Sequence, residues 1–473
     1  MVFVGADTVW KLKKAVALSF LDFSTVAARE KFCRRELELN RASAPGLYRD
    51  VVPVTRGVLG GLTLGGGTPV DWVLRMARVP EPDLLDNIVR RGGFDSNLQD
   101  AVADAVADYH RKLAPVHGQR ASARLRAVVQ GNVEAANRAG IDPTRIVIWR
   151  RAIEARIEAI AGWLDLRQQQ GFVRRGHGDL HLGNLCLWHG RPVPFDALEF
   201  DEDLATIDLG YDLAFLLMDV ECKLGRPAAN RVLNRYIART GDAALLHGLP
   251  VFLSLRAMVR SHIAANRQNV AEAQNYLDRA QGFLAAAVPV VVAVGGLPGA
   301  GKSTLARALA PELGPSPGAL IVRSDEIRKR LNGVAPEQKL PPSAYDTPAN
   351  LQVFNEILLE TTVAAHCGHA VVIDATLIDP AQQAALARIA VAAGISFVGL
   401  FLVAPIAVLE ARIEARQHDA SDATVEVLHR FAAEKPPLGW HRIAAERADC
   451  ALAAAREAIA GRRSHQARDV LES

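Results

Sequence analysis

The chain has 473 residues, half of them apolar and 23% charged, and Lys plus Arg exceed Asp plus Glu by only three (55 against 52). That length is too great for one ordinary core and fits two or three domains, while the near balance of charge excludes the broad basic footprint of a nucleic-acid binder. Five scattered cysteines without a CxxC pair argue against a disulfide framework or a zinc site and for a reducing cytoplasm. A secretory leader is not expected. The longest apolar run, around residues 283–294, is broken by Pro289 and too short to span a bilayer.

Along the chain, residues 2–4 and 9–16, separated by Gly5-Ala6-Asp7, read as a β-hairpin. Ser24 is the expected N-cap of an amphipathic helix running to Arg41, with Val26, Ala27, Phe32, Leu37 and Leu39 as its apolar residues. Strands are expected at 51–58, 62–64 and 70–79, punctuated by glycines. Residues 83–165 carry helical apolar spacing, as in the run from Leu98 to His110. A loop-rich section, 171–208, concentrates His, Asp and Asn before helices resume at 209–286. A strand-rich lobe followed by a helical lobe makes one α+β unit. At Val288-Pro289 the pattern turns to βα alternation, with strands at 290–294 and near Leu320, Val371 and Phe397, and a helix from Lys302. Such alternation predicts a parallel sheet with crossover helices. The expected domains are therefore 1–280 and 290–473.

The densest polar cluster of the front half is His177-Gly178-Asp179-Leu180-His181-Leu182-Gly183-Asn184, followed by Pro194-Phe195-Asp196. This HxDxxxxN pattern resembles the aminoglycoside phosphotransferase and choline kinase group, whose fold is the two-lobed one of the protein kinases, over residues 1–280. The resemblance implies that Asp179 receives the proton of an acceptor hydroxyl and that Asn184 and Asp196 hold magnesium, with His177 propping the loop. Such chemistry needs a carboxylate to orient the hydroxyl and oxygen ligands for the metal bridging the phosphates. The same likeness calls for a strand lysine paired with a helix glutamate. Lys11 and Lys13 lie on one strand face; Lys11 is preferred, with Glu36 as partner and Glu38 as the alternative. Residues 73–79, with Met76, are the expected hinge strand at the adenine pocket. One departure stands out: the strand and phosphate-covering loop that normally precede the lysine hairpin are missing from the sequence.

Gly296-Leu297-Pro298-Gly299-Ala300-Gly301-Lys302-Ser303 matches GxxxxGK[ST] between an apolar strand and a helix, which is the context a phosphate-binding loop requires. Glycines let phosphate oxygens approach the backbone, and the amides and helix N-terminus supply positive potential. Gly296, Gly299, Gly301, Ser303 and Thr304 are the candidate nucleotide contacts. Lys302 is expected to reach the β- and γ-phosphates, and Ser303 to hold magnesium. Asp374, ending the apolar run from Ala370, is the second candidate for the magnesium shell. The stretch Arg323-Ser324-Asp325-Glu326-Ile327-Arg328 follows the second strand. Here residues 290–440 resemble the P-loop kinases of small molecules and polynucleotide ends, including the zeta-toxin-like and chloramphenicol phosphotransferases. That resemblance implies Asp325 as base, Arg328 as a substrate contact, and Arg412 and Arg416, at i and i+4 on one helix, as lid arginines. Residues 417–423 would form the lid turn.

The two signatures predict a bilobal protein-kinase-like α+β domain joined to an α/β P-loop NTPase domain with a parallel sheet. The function expected is ATP- and magnesium-dependent transfer of phosphate to a hydroxyl of a small molecule, in the cytoplasm and with no membrane or nucleic-acid partner. The rival is an ATP-binding switch whose front domain is a pseudokinase that senses a ligand. A protein kinase is disfavoured, because no activation segment ending in Ala-Pro-Glu follows Asp196 in the front domain.

Overall fold

The computed structural model describes residues 1–18, 21–57, 60–118, 120–416, 419–432 and 438–472, with backbone alone for 18, 21 and 462–472. The chain divides into two compact units, one formed by Met1–Leu224 with Val251–Leu284 and the other by Gly225–Pro250 with Ala285–Ser473. Among the described residues no helix is long and apolar enough to cross a membrane.

The first unit opens with β1 (Val2–Val4) and β2 (Thr8–Leu12), the expected hairpin, although β2 stops four residues short of Val16. The residue that follows its last, Lys13, is buried. A small hairpin, β3 (Ala17–Leu18) and β4 (Leu21–Asp22), follows. Helix α1 (Val26–Arg41) is capped by Thr25, which accepts from Ala28 N, rather than by Ser24. Its buried stripe also differs from the apolar one expected, for it consists of Arg29, Cys33, Glu36 and Asn40. Each polar member has a partner inside the fold: Arg29 pairs with Asp71, Glu36 with two lysines, and Asn40 with the main chain of Ala197. Partnered polar groups can be buried where lone ones cannot.

Strands β5 (Tyr48–Arg56), β6 (Leu62–Leu64) and β7 (Pro69–Ala77) complete an antiparallel sheet in the order β1-β2-β7-β5-β6. Val58, placed in a strand by the sequence reading, lies outside the described residues. The helical lobe is built from α2 (Leu85–Arg90), α3 (Ser96–Lys112), α4 (Ala121–Arg138) and α5 (Pro143–Gln169). The loop-rich section holds β8 (Val173–Arg175), the hairpin β9 (Leu185–Trp188) and β10 (Arg191–Pro194), the short helix α6 (Glu202–Ala205), and β11 (Thr206–Asp208) paired with β8. Helix α7 (Leu209–Leu224) is buried from Leu209 to Glu221, so its two aspartates lie in apolar surroundings. A five-strand lobe with one helix, followed by a helical lobe, is the protein-kinase-like architecture.

Helix α8 (Arg226–Thr240) belongs to the second unit, although the sequence reading places residues 225–250 in the front domain. Helices α9 (Leu249–Asn266) and α10 (Val270–Gly282) bring the chain to β12 (Val290–Gly296). β12 is buried throughout, as a central parallel strand with both faces covered must be. The unit continues with α11 (Lys302–Leu309), β13 (Leu320–Arg323), α12 (Ser324–Leu331), α13 (Thr347–His366), β14 (Val371–Asp374), α14 (Pro380–Ala392) and β15 (Ser396–Val403). It ends with α15 (Ile406–Glu414), α16 (Val425–Phe431), β16 (His441–Ala444) and α17 (Ala448–Glu472). The sheet is wholly parallel, in the order β13-β14-β12-β15-β16. Its outer strand β13 is covered by side-chain amides from α8: Asn230 and Asn234 donate to Ala319 O, and Asn234 Oδ1 accepts from Ile321 N at 2.6 Å. These bonds satisfy an edge that would otherwise expose unpaired backbone.

Candidate active sites

In the first unit, β2 and α1 bring Lys11 Nζ to 2.8 Å from Glu36 Oε1, and Lys11 also pairs with Asp196. Glu36 is fully buried and its second oxygen takes Lys13, which in turn pairs with Glu199. Glu38, the alternative partner, is exposed and bound to Arg35 instead. Burial alone would lower the Lys11 ammonium, but Glu36 and Asp196 outweigh it and raise it. Burial likewise pushes Asp196 up, and Lys11, Lys13 and His177 hold it below the ordinary carboxylate range. Asp196 has φ +64°, a left-handed backbone that a non-glycine residue keeps only when its surroundings fix it. They do so: Tyr48 Oη accepts from Asp196 N at 2.9 Å, Asn40 Oδ1 accepts from Ala197 N at 2.9 Å, and Phe195 O is 2.9 Å from His177 Nε2.

Asp179 is half exposed in its loop, with Asn184 Nδ2 donating to both its main-chain and side-chain oxygens at 2.9 Å. His181 Nδ1 accepts from Gly183 N, which leaves its Nε2 to face Asp179 Oδ2 at 3.5 Å. Burial would raise the Asp179 carboxyl, but His181, His177 and Arg256 hold it at about 2. His177, the residue expected to prop the loop, is buried with its Nε2 against Phe195 O.

What that reading misses is the clamp from α7. Asp212, fully buried, accepts from His177 N at 2.6 Å and Gly178 N at 3.0 Å, and lies 3.2 Å from His110 Nε2. One carboxylate receiving two amides fixes the loop on one side of Asp179. Asp219, two turns on, accepts from Leu182 N at 3.0 Å and fixes the other side. The signal was present in the sequence as two aspartates within the mostly apolar run from Leu209 to Val220.

In the second unit, the glycine-rich loop leaves β12 and enters α11 beside the carboxyl ends of the parallel strands, the place where such sheets bind ligands. Gly299 has φ +80°, and a Cβ there would lie 2.5 Å from Leu409 O. A Cβ on Gly296 would lie 2.9 Å from Leu402 O, so both positions require glycine. Lys302 Nζ donates to Gly296 O at 2.9 Å and Leu297 O at 3.1 Å, curling back over the loop. Burial, with help from Arg416 and Arg323, lowers its ammonium, and Asp374 and Asp325 oppose that.

A pocket of 1090 Å³ joins the loop to Asp325, Arg328, Asp374, Arg412 and Arg416. All the sequence-predicted residues of the rear half except Gly296 thus line one cavity. Asp374 ends β14 beside Val294 of β12 and is buried. Asp325 opens α12; burial, then Asp374, push its carboxyl up, while Arg323 and Lys302 pull against them. Arg412 donates to Ala445 O at 2.8 Å and Glu446 O at 2.9 Å. Arg416 lies two residues beyond the end of α15, so the two arginines do not form the expected pair on one helix. The helix ends there because its C-cap falls at Ala415. In the expected lid turn, residues 417–418 lie outside the described residues, and Asp419 and Asp422 are tied down to Arg323 and Lys329.

Arg323 is the residue the sequence reading passed over here. It is buried at the end of β13, with Nε 3.3 Å from Asp374 Oδ2 but making no hydrogen bond, and it also pairs with Glu326 and Asp419. Asp374 Oδ2 is a buried oxygen without a hydrogen bond among the described residues, and Ser303 lines the same pocket. One carboxylate and one hydroxyl suit magnesium, which keeps waters and takes most of its remaining ligands from phosphates. No group of three or more His, Cys, Asp or Glu fit to hold a metal occurs among the described residues.

A family model described as AAA domain matches residues 291–438. The uncharacterized protein Rv2004c of Mycobacterium tuberculosis (strain ATCC 25618 / H37Rv) is 30% identical over 470 residues, which cover 94% of this chain and 90% of that protein. The chain belongs to the family of that mycobacterial protein. Both units of this family member have likenesses among solved structures. A choline/ethanolamine kinase family protein from Mesorhizobium loti covers 60% of this chain and 84% of its own, with a TM-score of 0.36 and 11% identity. A gluconokinase from Sinorhizobium meliloti 1021 covers 36% of this chain and 95% of its own, with a TM-score of 0.27 and 19% identity.

Proposed function

We propose that the chain is a bifunctional ATP- and magnesium-dependent phosphotransferase that moves the γ-phosphate to hydroxyl groups of small molecules at two sites. The observation that carries this reading is the shared pocket of the second unit, where a raised carboxyl, Asp325, lies in the field of Lys302 behind a loop whose glycines admit phosphate. In that site the loop amides and Lys302 take the β- and γ-phosphates, and Ser303 and Asp374 hold the metal. Magnesium, when bound, offsets the charge of the phosphates. Asp325 receives the acceptor proton as the hydroxyl oxygen bonds to the γ-phosphorus and the bond to the β-phosphate oxygen breaks, releasing ADP. Arg416 steadies the charge on the group in transfer. In the first site Lys11, placed by Glu36, takes the phosphates, Asn184 and Asp196 hold the metal, and Asp179 orients the acceptor hydroxyl. The five cysteines are all free, which supports a cytoplasmic setting.

The test is a transfer screen with labelled ATP over sugars, amino alcohols and nucleosides. Asp179→Ala and Asp325→Ala are each expected to remove one class of product, and Lys302→Ala to remove triphosphate binding at the second site. If neither aspartate variant changes any product while Lys302→Ala abolishes hydrolysis, the chain is an ATP-driven switch and the proposal fails.

A further inference from the structure

We propose that Lys13 and Glu199 are positioning residues of the first-unit site: they hold Glu36 in place while Lys11 exchanges Asp196 for the phosphates of a nucleotide. The inference rests on the phosphotransfer reading of that site and concerns an ion pair which that reading does not use. Glu36 stands at the centre of a chain of five charged groups. Its Oε1 accepts from Lys11 Nζ at 2.8 Å and its Oε2 from Lys13 Nζ, while Lys11 goes on to Asp196 and Lys13 to Glu199. The two arms differ in exposure. The side chains of Lys11 and Asp196 are 22% and 39% exposed, whereas Lys13 is 6% exposed, Glu199 8% and Glu36 not at all. One arm is open to a ligand and the other is sealed in the core.

The sealed arm is held from both ends. Lys13 Nζ lies 5.5 Å from the centre of the Phe23 ring, and Phe23 is itself buried, with its N donating to Val16 O at 2.8 Å across the base of the small hairpin. Glu199 follows a segment whose main chain is fixed at each step: Asp196 N by Tyr48 Oη, Ala197 N by Asn40 Oδ1 and Leu198 N by His177 O, each at 2.9 Å. The open arm is the one that must change partners. Once Lys11 turns to phosphates and Asp196 to the metal, the contact between them is given up, and Glu36 has to share Lys11 with the ligand. A fully buried carboxylate without a steady partner would draw Lys11 back. Lys13 supplies that partner, and Glu199 keeps Lys13 where it is. Stability alone does not account for the second pair, because apolar side chains of similar volume often match or better a buried ion pair.

The full chain carrying Lys302→Ala, which silences the second site, is titrated calorimetrically with a non-hydrolysable ATP analogue and magnesium, so that the binding event left belongs to the first unit. Lys13→Met alone would strand Glu199, so the variant is Lys13→Met with Glu199→Leu, which removes both charges of the sealed arm together. It is expected to melt close to its parent and to bind the analogue about 10- to 100-fold more weakly, the range of a charge-assisted hydrogen bond from Lys11. In a chain that also carries Lys11→Met, the same two substitutions are expected to change affinity by less than about twofold, because residues that act through one another are not additive. Parent affinity in the double variant overturns the inference. So does a full further loss in the Lys11→Met chain, or a double variant that melts far below its parent, since the sealed arm would then serve the fold alone. Failure of the Lys302→Ala chain to bind the analogue at all overturns the nucleotide reading of the first unit, and the inference with it.

Discussion

Asp325 is held where its charge is least favoured, since burial and Asp374 push its carboxyl up and only Arg323, Lys302 and Ser421 pull it back. A raised carboxyl binds its proton more tightly in the folded than in the unfolded chain, so this group weakens the fold at neutral pH and ceases to do so as pH falls through its folded value. Asp325→Asn should therefore raise the melting temperature at pH 7 while lowering transfer at the second site by about 10²- to 10⁴-fold, the usual worth of a general base. A melting temperature that falls, or transfer that persists, would contradict the assignment. Transfer should also decline on acidification at a higher pH than an ordinary aspartate would give, as a pH–rate profile would reveal. Asp179 and Lys302 are candidates in the sequence because their motifs fix order and spacing, whereas Lys11 is one of two strand lysines that no motif separates from Lys13. Arg323, Asp212 and Asn40 were not legible, because each acts through a partner distant in sequence that no local pattern names.

Among the elements, the strands that alternate or run apolar between glycines were readable, and so was the helix beginning at Lys302. The inner face of α1 was not: hydrophobic periodicity assumes that buried faces are apolar, and here Arg29, Glu36 and Asn40 are buried by virtue of their partners. Strand β16 was missed because four residues, three of them exposed, carry too little pattern. The phosphate loop is the element on which a single atom has most effect. Gly299→Ala adds a Cβ that meets Leu409 O at 2.5 Å in a left-handed backbone, so the loop must shift. Affinity for a fluorescent ATP analogue at the second site should drop at least about tenfold, equivalent to about 1.4 kcal/mol, with a melting temperature that also falls. Unchanged affinity would mean that the loop conformation does not govern nucleotide binding.

For the whole molecule, composition and texture foretold two domains of different class, and the described chain has two compact units. The place of α8 was beyond reading, because a helix with Asn at positions 230 and 234 looks like any solvated helix until the strand it covers is known. It follows that a chain beginning at Ala285 lacks the cover of β13. Such a chain should melt lower and aggregate more than one in which residues 225–250 are supplied as a separate peptide, as light scattering and calorimetry would show. Equal behaviour would mean that the asparagine bonds contribute nothing to the sheet.

During synthesis the same arrangement imposes an order of events. The asparagines of α8 leave the ribosome more than eighty residues before the backbone of Ile321 that they bind. The helix must wait, its polar face satisfied by water, until synthesis has passed two thirds of the chain. A stalled or shortened product would therefore present an unmatched helix at one end of its life and an uncovered strand at the other, and quality control could recognise either.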